Sequence, residues 1–397
     1  MAQANRAAKD AALSVVARRL EEGSAEIVRA NAADVEDLRA RGGSAAMLDR
    51  LLLHDARISA MASAVRDVGA LPDPVGEVIS RTTRPNGLVV TRVRVPIGVI
   101  AMIYESRPNV TVEASALTLK AGNAVVLRGG SESLRSNLAL AGVVTRALGE
   151  SGLPEDAVVV LDSTERTDVE RLVQQVGLVD LAIPRGGEAL IRAVTEQARV
   201  PVVQHYKGVC HLFVDEGAPA EGARDVVVNA KLSRPGVCNA LECLLVHEAC
   251  ASVVLPLVLG ALHERGCELR GCDRTAAIFP AARPAKEDDF GREFLDRILA
   301  VRVVRDLDGA LDHIARYGSQ HTEAILTGTL AHAERFRREV DAACVVVNAS
   351  TRFHDGGELG LGAEIGIATS RLHWRGPMGL ESLTTMKWII DGEGQVR

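Results

Sequence analysis

Residues 99–103 read Val-Ile-Ala-Met-Ile, an unbroken apolar run. Such a run indicates a strand that is buried on both faces of a parallel sheet. A helical stretch at 112–120 separates it from a second apolar run at 124–127. The alternation continues as helix 131–150, strand 157–161, helix 167–176, strand 179–183, helix 187–197 and strand 200–203. The pattern predicts an α/β domain whose parallel sheet carries helices on both faces.

The pattern extends in both directions from this domain. Before it, apolar residues recur at helical spacing, and Ser44 is the expected N-cap of a helix that reaches Val65. An exposed strand is expected at 87–95, a glycine-rich loop at 351–366 and a last strand at 385–390. A second α/β series follows residue 231, with strands 241–246, 275–279, 301–304, 323–327 and 344–347 and helices 249–265, 289–299, 307–317 and 329–340.

The composition excludes several functional classes. The 397 residues are 47% apolar and 25% charged, which predicts two or three domains with sizeable cores. A net charge of −6 argues against bulk nucleic-acid binding and a polybasic membrane anchor. No apolar run approaches the roughly 18 residues of a membrane span, and no signal-peptide pattern is present. These features predict a cytoplasmic protein without membrane attachment.

The segment Ser233-Arg234-Pro235-Gly236-Val237-Cys238-Asn239 is the strongest candidate for covalent chemistry. A thiol after a Pro-Gly turn can be accessible, and nearby backbone N–H groups would lower its pKa and receive an oxyanion. Arg234 adds positive charge close to it. The alternative is that Cys238 is a small buried apolar residue, as most cysteines without a disulfide are.

The remaining cysteines and histidines invite a metal site but match no closed zinc pattern. They run through an apolar strand and helix, so the sequence predicts packed core cysteines and no metal. The seven cysteines are an odd number in a long chain, which argues against a disulfide framework. The residues concerned are Cys243, His247, Cys250, His263, Cys267 and Cys272.

Two glycine-containing turns join predicted strands to helices, at Arg128-Gly129-Gly130-Ser131-Glu132 and Pro184-Arg185-Gly186-Gly187-Glu188. Glycine there lets a phosphate approach a helix N-terminus. Neither turn is a GxGxxG motif, so simple connecting turns remain the alternative. Residues 104–109 leave a strand at the same edge and could bind a ligand or form a polar surface loop. His321 could be an acid or base, or a structural histidine.

Several segments together resemble the gamma-glutamyl phosphate reductase family of the aldehyde dehydrogenase superfamily. The most specific are Pro96-Ile97-Gly98-Val99-Ile100, continued by Glu105-Ser106-Arg107-Pro108-Asn109-Val110-Thr111, and the Cys238 segment. Residues 317–323 and 351–366 are similar to further signature segments of the family. The resemblance runs from the N-terminal helices to Trp388 and covers nearly the whole chain.

The resemblance implies an aldehyde dehydrogenase-like fold with three parts. Residues 1–230 would hold the N-terminal helices and a Rossmann-like NADPH domain, interrupted by an oligomerisation strand at about 82–95. Residues 231–350 would form the α/β catalytic domain. Residues 351–397 would return to the cofactor domain and end in a strand that pairs with the first in a small β element of a homo-oligomer.

The resemblance also implies the reaction, the NADPH-dependent reduction of L-glutamate 5-phosphate to L-glutamate 5-semialdehyde and phosphate in proline biosynthesis. Cys238 would form the thioester, and its backbone N–H and Asn109 would stabilise the oxyanion. The substrate carries a carboxylate and a phosphate, which suit guanidinium groups. The arginines that could bind them, or could instead be solvated surface residues, are Arg107, Arg234 and Arg352.

For the cofactor, Arg128 lies where the superfamily has a lysine facing the adenosine ribose. It would therefore meet the 2′-phosphate of NADPH. The remaining cofactor contacts that the turns would supply are Gly129, Ser131, Glu132, Gly186 and Gly187.

Two other functions stay open, a hydrolytic aldehyde dehydrogenase and a nucleotide-binding protein without catalysis. A hydrolytic enzyme needs a base, and its usual glutamate would fall in His205-Tyr206-Lys207-Gly208, which holds no carboxylate. His205 could itself act as a base, or serve a structural or substrate-contact role. A contact with glutamate 5-kinase would suit the labile substrate, but no residue indicates it.

Overall fold

The computed structural model describes residues 1–204 and 207–397. The chain folds into two compact units. The first comprises Met1–Gln204, Gly360–Gly366 and Met378–Arg397, and the second comprises His205–Leu359 and Ile367–Pro377. The units differ in extent from the predicted domains, since the second unit begins near residue 205 and not at 231.

The helices and strands alternate along most of the chain. The helices are α1 (Arg6–Glu22), α2 (Ser24–Ala40), α3 (Ala45–Leu51), α4 (Asp55–Ala70), α5 (Asn109–Lys120), α6 (Leu134–Glu150), α7 (Arg166–Val173), α8 (Glu188–Gln197), α9 (Ala220–Leu232), α10 (Glu248–His263), α11 (Asp273–Ile278), α12 (Leu307–Tyr317) and α13 (Leu330–Glu339). The strands are β1 (Val78–Thr83), β2 (Val89–Pro96), β3 (Val99–Tyr104), β4 (Ala124–Arg128), β5 (Val158–Val160), β6 (Leu181–Arg185), β7 (Cys210–Val214), β8 (Leu241–His247), β9 (Glu268–Gly271), β10 (Arg283–Pro284), β11 (Ile298–Val304), β12 (Thr322–Leu326), β13 (Cys344–Val347), β14 (Ile367–Ala368), β15 (Gly376–Pro377) and β16 (Thr384–Asp391).

The N-terminal helices follow the predicted pattern with one break. Ser44 caps α3 as predicted, and its hydroxyl accepts a hydrogen bond from the Met47 N–H at 3.2 Å. The single helix predicted from Ser44 to Val65 is wrong, because α3 and α4 are separate. Between them the Leu53 N–H donates to the buried Asn31 side chain at 2.7 Å, and the His54 ring caps α4. Side-chain acceptors thus replace helical carbonyls at the break.

The parallel sheet at the centre of the first unit has the order β5-β4-β3-β6. All three strand pairs are parallel, and α5, α6, α7 and α8 connect or flank the strands. The chain runs outward from β3 through β4 to β5 and then returns to β6, on the other side of β3. The sheet therefore has a topological switch point between β3 and β6, where α/β proteins place ligands. The strand predicted at 200–203 is only an isolated bridge between Ala182 and Val202.

The second unit contains a larger parallel sheet with the order β10-β9-β11-β8-β7-β12-β13. Two apolar clusters pack on its two faces, one including Leu212 and Leu244 and the other Phe213 and Leu245. Neighbouring residues of one strand face opposite clusters, which is the alternation of a sheet buried on both sides. The α/β fold class predicted from the sequence is confirmed.

Two predicted elements of the second unit are wrong. Residues 275–279 were expected as a strand, but 273–278 form α11, because a short apolar run does not distinguish a strand from a buried helix. Residues 289–299 were expected as a helix, but a 3-10 turn at 287–291 precedes an extended segment that enters β11.

A separate antiparallel sheet, β1-β2-β16, lies in the first unit. β2 pairs with β16 from Thr384 opposite Pro96 to Asp391 opposite Val89, the pairing that the family resemblance implied for the strand near 82–95 and the terminal strand. Its apolar side chains Trp388 and Ile390 are more than 60% exposed. A search of the described residues found no helix with the length and apolarity that crossing a membrane requires.

Candidate active site

The loop that carries Cys238 connects α9 to β8 in the second unit. The Ala240 N–H donates to the Val237 carbonyl at 3.0 Å, which closes a tight turn around Cys238. Cys238 is partly exposed, whereas Asn239 and Ala240 are buried. The turn therefore leaves Cys238 partly exposed while its buried neighbours anchor the loop, and its role as a nucleophile stays a prediction.

Gly208 lies directly against the Cys238 carbonyl. A Cβ added at Gly208 would lie 2.1 Å from the Cys238 carbonyl oxygen, so only glycine allows this approach. The Gly208 N–H donates to Glu293 Oε1 at 3.0 Å, which fixes the segment beneath the nucleophile. Any side chain at 208 would have to move the Cys238 backbone.

Cys210 also contacts the nucleophile. Its thiol donates to the Cys238 carbonyl oxygen at 3.1 Å. Burial raises the pKa of Cys210 well above its ordinary value, so the residue stays a protonated donor. Cys210 thus holds the backbone of Cys238 through its protonated thiol.

Asn239 ties the nucleophile loop to the segment that follows β13. Its amide donates to the His354 carbonyl at 3.0 Å and to the Arg352 carbonyl at 3.5 Å. The Thr351 hydroxyl donates to the Asn239 carbonyl at 2.7 Å. The structure therefore brings two predicted segments, the Cys238 loop and residues 351–354, into contact.

A chain of buried polar side chains lies behind this contact. His321 Nδ1 and Thr322 Oγ1 are 2.7 Å apart, and Thr322 Oγ1 and His354 Nδ1 are also 2.7 Å apart. His321 Nδ1 lies 3.8 Å from Cys210 Sγ. Burial lowers the pKa of His354 to about 4, so this ring is neutral at pH 7. The described contacts of His321 are therefore with Thr322 and with Cys210, the residue that binds the Cys238 carbonyl.

The three predicted substrate arginines divide between the units. In the second unit, Arg234 is exposed in the Cys238 loop, and Arg352 is half-buried with its carbonyl bound to Asn239. Arg107 is exposed and follows β3 in the first unit. Two of the predicted arginines, Arg234 and Arg352, therefore lie on segments that are in contact at Asn239.

The turns predicted to bind a cofactor converge at the switch point of the first sheet. The Gly187 N–H, at the start of α8, donates to Glu105 Oε2 at 3.0 Å. The backbone N–H and hydroxyl of Ser106 both donate to Glu132 Oε1, at 2.6 Å each. A Cβ at Gly187 would meet no atom within 4 Å. The turn at Gly187 therefore binds an anionic oxygen and has open space beside it.

Arg128 is the last residue of β4, at the same edge of the sheet. Its guanidinium donates to the Gly129 carbonyl at 2.9 Å and to the Thr164 carbonyl at 3.1 Å. The buried Nε has no hydrogen-bond partner among the described residues. The Gly129 and Ser131 positions lie on the turn that Arg128 begins, and Ser131 is exposed.

Asn109, the predicted second oxyanion donor, is the first residue of α5 in the first unit. Its side-chain amide donates to Glu113 Oε1 at 2.8 Å, one turn along the same helix. A primary amide has two N–H groups, so this bond fixes the orientation of the second one. His205, considered as a base or a structural or substrate contact, lies outside the described residues, as does Tyr206.

Within the described residues, one group of side chains is close enough to hold a metal: His211, Cys243 and His313, with ligand atoms within 4.8 Å of one another. Arg302 Nη1 lies 3.3 Å from His313 Nδ1 and can only donate, so the neutral ring carries its proton on Nε2. That nitrogen faces Cys243 Sγ at 3.6 Å. Burial lowers the pKa of His313 to about 2. The geometry favours a hydrogen-bonded chain over a set of metal ligands.

Sequence reasoning missed the residues that support Cys238. Gly208, Cys210 and Thr351 reach the nucleophile loop from other segments of the second unit. The sequence offers one signal: the small residues Gly208 and Cys210 lie just before and at the start of the segment that becomes β7.

Comparison with known proteins adds independent information. Residues 3–266 match the model of the aldehyde dehydrogenase family. A protein of Sorangium cellulosum named gamma-glutamyl phosphate reductase is 60% identical over 402 aligned residues, covering 100% of this chain and 94% of that protein. A relative of the same name from an Anaeromyxobacter species is 57% identical, with coverage of 100% and 94%.

A solved structure is also similar. The crystal structure of gamma-glutamyl phosphate reductase from Thermotoga maritima matches with a TM-score of 0.98 and 48% identity, covering 100% of this chain and 96% of that one.

Proposed function

We propose, from the premise that the chain belongs to the aldehyde dehydrogenase family, that it is a gamma-glutamyl phosphate reductase. Its reaction is the reduction of L-glutamate 5-phosphate to L-glutamate 5-semialdehyde with release of phosphate, a step of proline biosynthesis. The observation that carries the proposal is full-length identity of 60% to an enzyme of that name. Cys238, partly exposed in a tight turn, would supply the chemistry that such a reaction needs.

Cys238 acts as the nucleophile in this proposal. Its thiolate attacks the acyl phosphate carbon, and phosphate leaves with little need for acid assistance. The contacts from Gly208 and Cys210 hold the Cys238 carbonyl, and this fixes where the thiol points. The backbone N–H of Cys238 and the amide of Asn109 are the proposed donors to the oxyanion. Hydride then adds to the thioester carbonyl carbon, and the C–S bond of the resulting thiohemiacetal breaks to give the aldehyde and the free Cys238 thiolate.

NADPH is the proposed cofactor, and when bound it supplies the hydride. The turns of the first sheet suit a dinucleotide, since Gly187 already donates to a carboxylate and has open space beside it. Gly129, Ser131, Glu132 and Gly186 belong to the same group of turns. Arg128 would face the 2′-phosphate, and its unpartnered Nε, judged among the described residues, is a donor available to that role.

Substrate binding is assigned to guanidinium groups. Arg234 and Arg352 lie on segments that meet at Asn239 in the second unit, which supports a pocket for a doubly anionic substrate. Arg107 is the third proposed contact. No metal is required, because a thiolate and a good leaving group already account for the acyl transfer.

The proposed setting is the cytoplasm, where reduced nicotinamide cofactors support biosynthesis. The exposed apolar face of β16 supports a homo-oligomer, since exposed apolar patches of this kind commonly mark association surfaces. Contact with glutamate 5-kinase stays a prediction.

Phosphate dependence tests the proposal against a hydrolytic aldehyde dehydrogenase. NADP reduction by glutamate semialdehyde is expected to require added phosphate and to yield little free glutamate, because the acyl acceptor in reverse is phosphate. The rate is followed at 340 nm with and without phosphate, and the product is identified by chromatography. Rapid glutamate formation without phosphate would mean that water is activated, and the reductase proposal would be abandoned.

A further inference from the structure

A buried ion pair encloses the loop that carries Cys238. Lys231, in the last turn of α9, and Glu242, in β8, are joined through Nζ and Oε2 at 2.6 Å. Neither side chain has any exposed surface. Burial raises the pKa of Glu242 to about 7, although the Lys231 charge opposes this. The loop of residues 233–240 thus leaves and returns at two positions held together by a salt bridge.

Glu242 also binds a second segment of the same unit. Its Oε1 accepts the Leu295 N–H at 3.0 Å. Leu295 has a φ of 53°, a left-handed conformation that residues other than glycine rarely adopt. The same conformation brings the Leu295 carbonyl to Gly236, where an added Cβ would lie 3.7 Å away. The bond to Glu242 holds Leu295 in a backbone conformation that contacts the nucleophile loop.

The segment around Leu295 is also linked to Cys238 through Gly208. Glu293 Oε1 accepts the Gly208 N–H at 3.0 Å, and Gly208 contacts the Cys238 carbonyl. One short segment therefore links Glu242 to the underside of the nucleophile turn. This chain of contacts begins at Lys231, which binds Glu242, and ends at the Cys238 carbonyl.

A buried ion pair is a poor means of gaining stability, because desolvation offsets most of the attraction. An apolar pair of similar volume would serve stability as well. The ion pair instead fixes local geometry, because each carboxylate oxygen of Glu242 binds one defined donor, Lys231 Nζ or the Leu295 N–H. The arrangement is the kind expected where backbone position matters more than stability.

We propose that Lys231 and Glu242 are positioning residues for the reaction at Cys238. Through their salt bridge and the Leu295 contact, they hold the nucleophile loop so that the thiol points at the substrate carbonyl. A misplacement of about 1 Å can cost about 100-fold in rate. The inference rests on the proposed function for the nucleophile role of Cys238 and for the identity of the substrate.

The test compares Lys231→Met, Glu242→Gln and the double variant in the full-length protein. Each single substitution is expected to lower kcat about 10- to 100-fold, with the dissociation constant for NADPH unchanged within about 2-fold. The alkylation rate of Cys238 by iodoacetamide, located by mass spectrometry, is expected to change alongside kcat. The double variant removes both charges, so it is expected to regain the thermal stability of the wild type but not its kcat.

The double variant tests the positioning role of Lys231 and Glu242 even if a single variant does not fold. A folded double variant with wild-type kcat and wild-type Cys238 alkylation would overturn the proposal, because the pair would then be purely structural. The matched control is Arg274→Met with Glu248→Gln, an exposed ion pair of the same 2.6 Å length in the same unit. This control is expected to change neither measurement.

Failure of the proposed function can be distinguished from failure of the positioning proposal. If the wild type does not act on L-glutamate 5-phosphate, Cys238 alkylation still compares the variants without any substrate. Unchanged alkylation in all variants would reject the positioning role, whatever the substrate is.

Discussion

The nucleophile loop of the second unit and the cofactor turns of the first unit are held in different ways. The Cys238 loop is fixed by buried groups from distant segments, among them Gly208, Cys210 and Thr351. The turn at Gly187 is instead held by the exposed carboxylate of Glu105, which lies where a phosphate oxygen could replace it. If the proposed roles hold, the difference teaches that the geometry around Cys238 is fixed by the fold, whereas the turn at Gly187 can exchange one bound anion for another.

The largest effect is expected from Cys238→Ala. If the chemistry belongs to this loop, kcat falls by about 10,000-fold or more, as for other lost nucleophiles. NADPH binding, measured by fluorescence titration, is expected to persist because the proposed cofactor turns belong to the other unit.

Two other cysteines provide the controls. Cys243→Ala and Cys267→Ala are expected to leave kcat within about 3-fold of the wild type, since both side chains are buried in the core. Substantial turnover by purified Cys238→Ala would remove the covalent mechanism.

The next effect concerns the glycine beneath the nucleophile. Gly208→Ala is expected to lower kcat about 100-fold, because the new Cβ would collide with the Cys238 carbonyl, which is backbone and must move. Steady-state kinetics and a thermal melt are measured together.

Gly260→Ala is the matched control, because a Cβ there meets nothing within 4 Å inside helix α10. It is expected to keep full activity and to stabilise the helix by about 0.5–1 kcal/mol. Equal kinetics for the two alanine variants would show that the close approach at Gly208 has no role in the reaction.

A smaller effect is expected on the cofactor side. Arg128→Glu should weaken NADPH binding about 10-fold more than NADH binding, since a charge reversal acts on the 2′-phosphate that only NADPH carries. The two dissociation constants are compared for the wild type and the variant. If both cofactors weaken equally, Arg128 serves only to hold the Thr164 carbonyl, which it also binds.

The smallest effect concerns pH and the polar chain behind the loop. Burial lowers the pKa of His354 to about 4, so only the unfolded ring gains a proton near pH 6. Stability is therefore lost as pH falls below about 6.5, by about 1 kcal/mol between pH 7 and pH 5.7. Urea unfolding of His354→Asn is expected to lack this component, and an unchanged pH dependence would assign it to other groups.

The sequence predicts the first sheet well because its strands are unbroken apolar runs that only a buried sheet accommodates. β7 was missed, since His211 interrupts its apolar run, and the structure buries that ring with Glu323 at 3.0 Å. α11 was predicted as a strand because five residues carry no usable periodicity. Prediction from sequence patterns therefore fails where a buried polar residue interrupts a strand and where an element is very short.

The candidate site likewise has parts that a local sequence pattern indicates and parts that depend on contacts between distant segments. The role of Cys238 stays a prediction, to which a local Pro-Gly turn and a motif both point. Gly208 and Cys210 were not predictable, since the Cys210 contact with Cys238 joins residues 28 positions apart and the Thr351 contact with Asn239 joins residues 112 apart. Such contacts depend on strand order, which a single sequence does not reveal.

The pairing of β2 with β16 has a consequence for how the protein is made. Arg94 and Thr384, which contact each other across these strands, are separated by 290 residues. A ribosome adding about 5–20 residues per second needs roughly 15–60 s to synthesise that stretch. During this time β2 has β1 on one side and an open edge on the other, which invites pairing with a neighbouring nascent chain. The last strand to be synthesised, β16, closes this edge only when the chain is nearly complete.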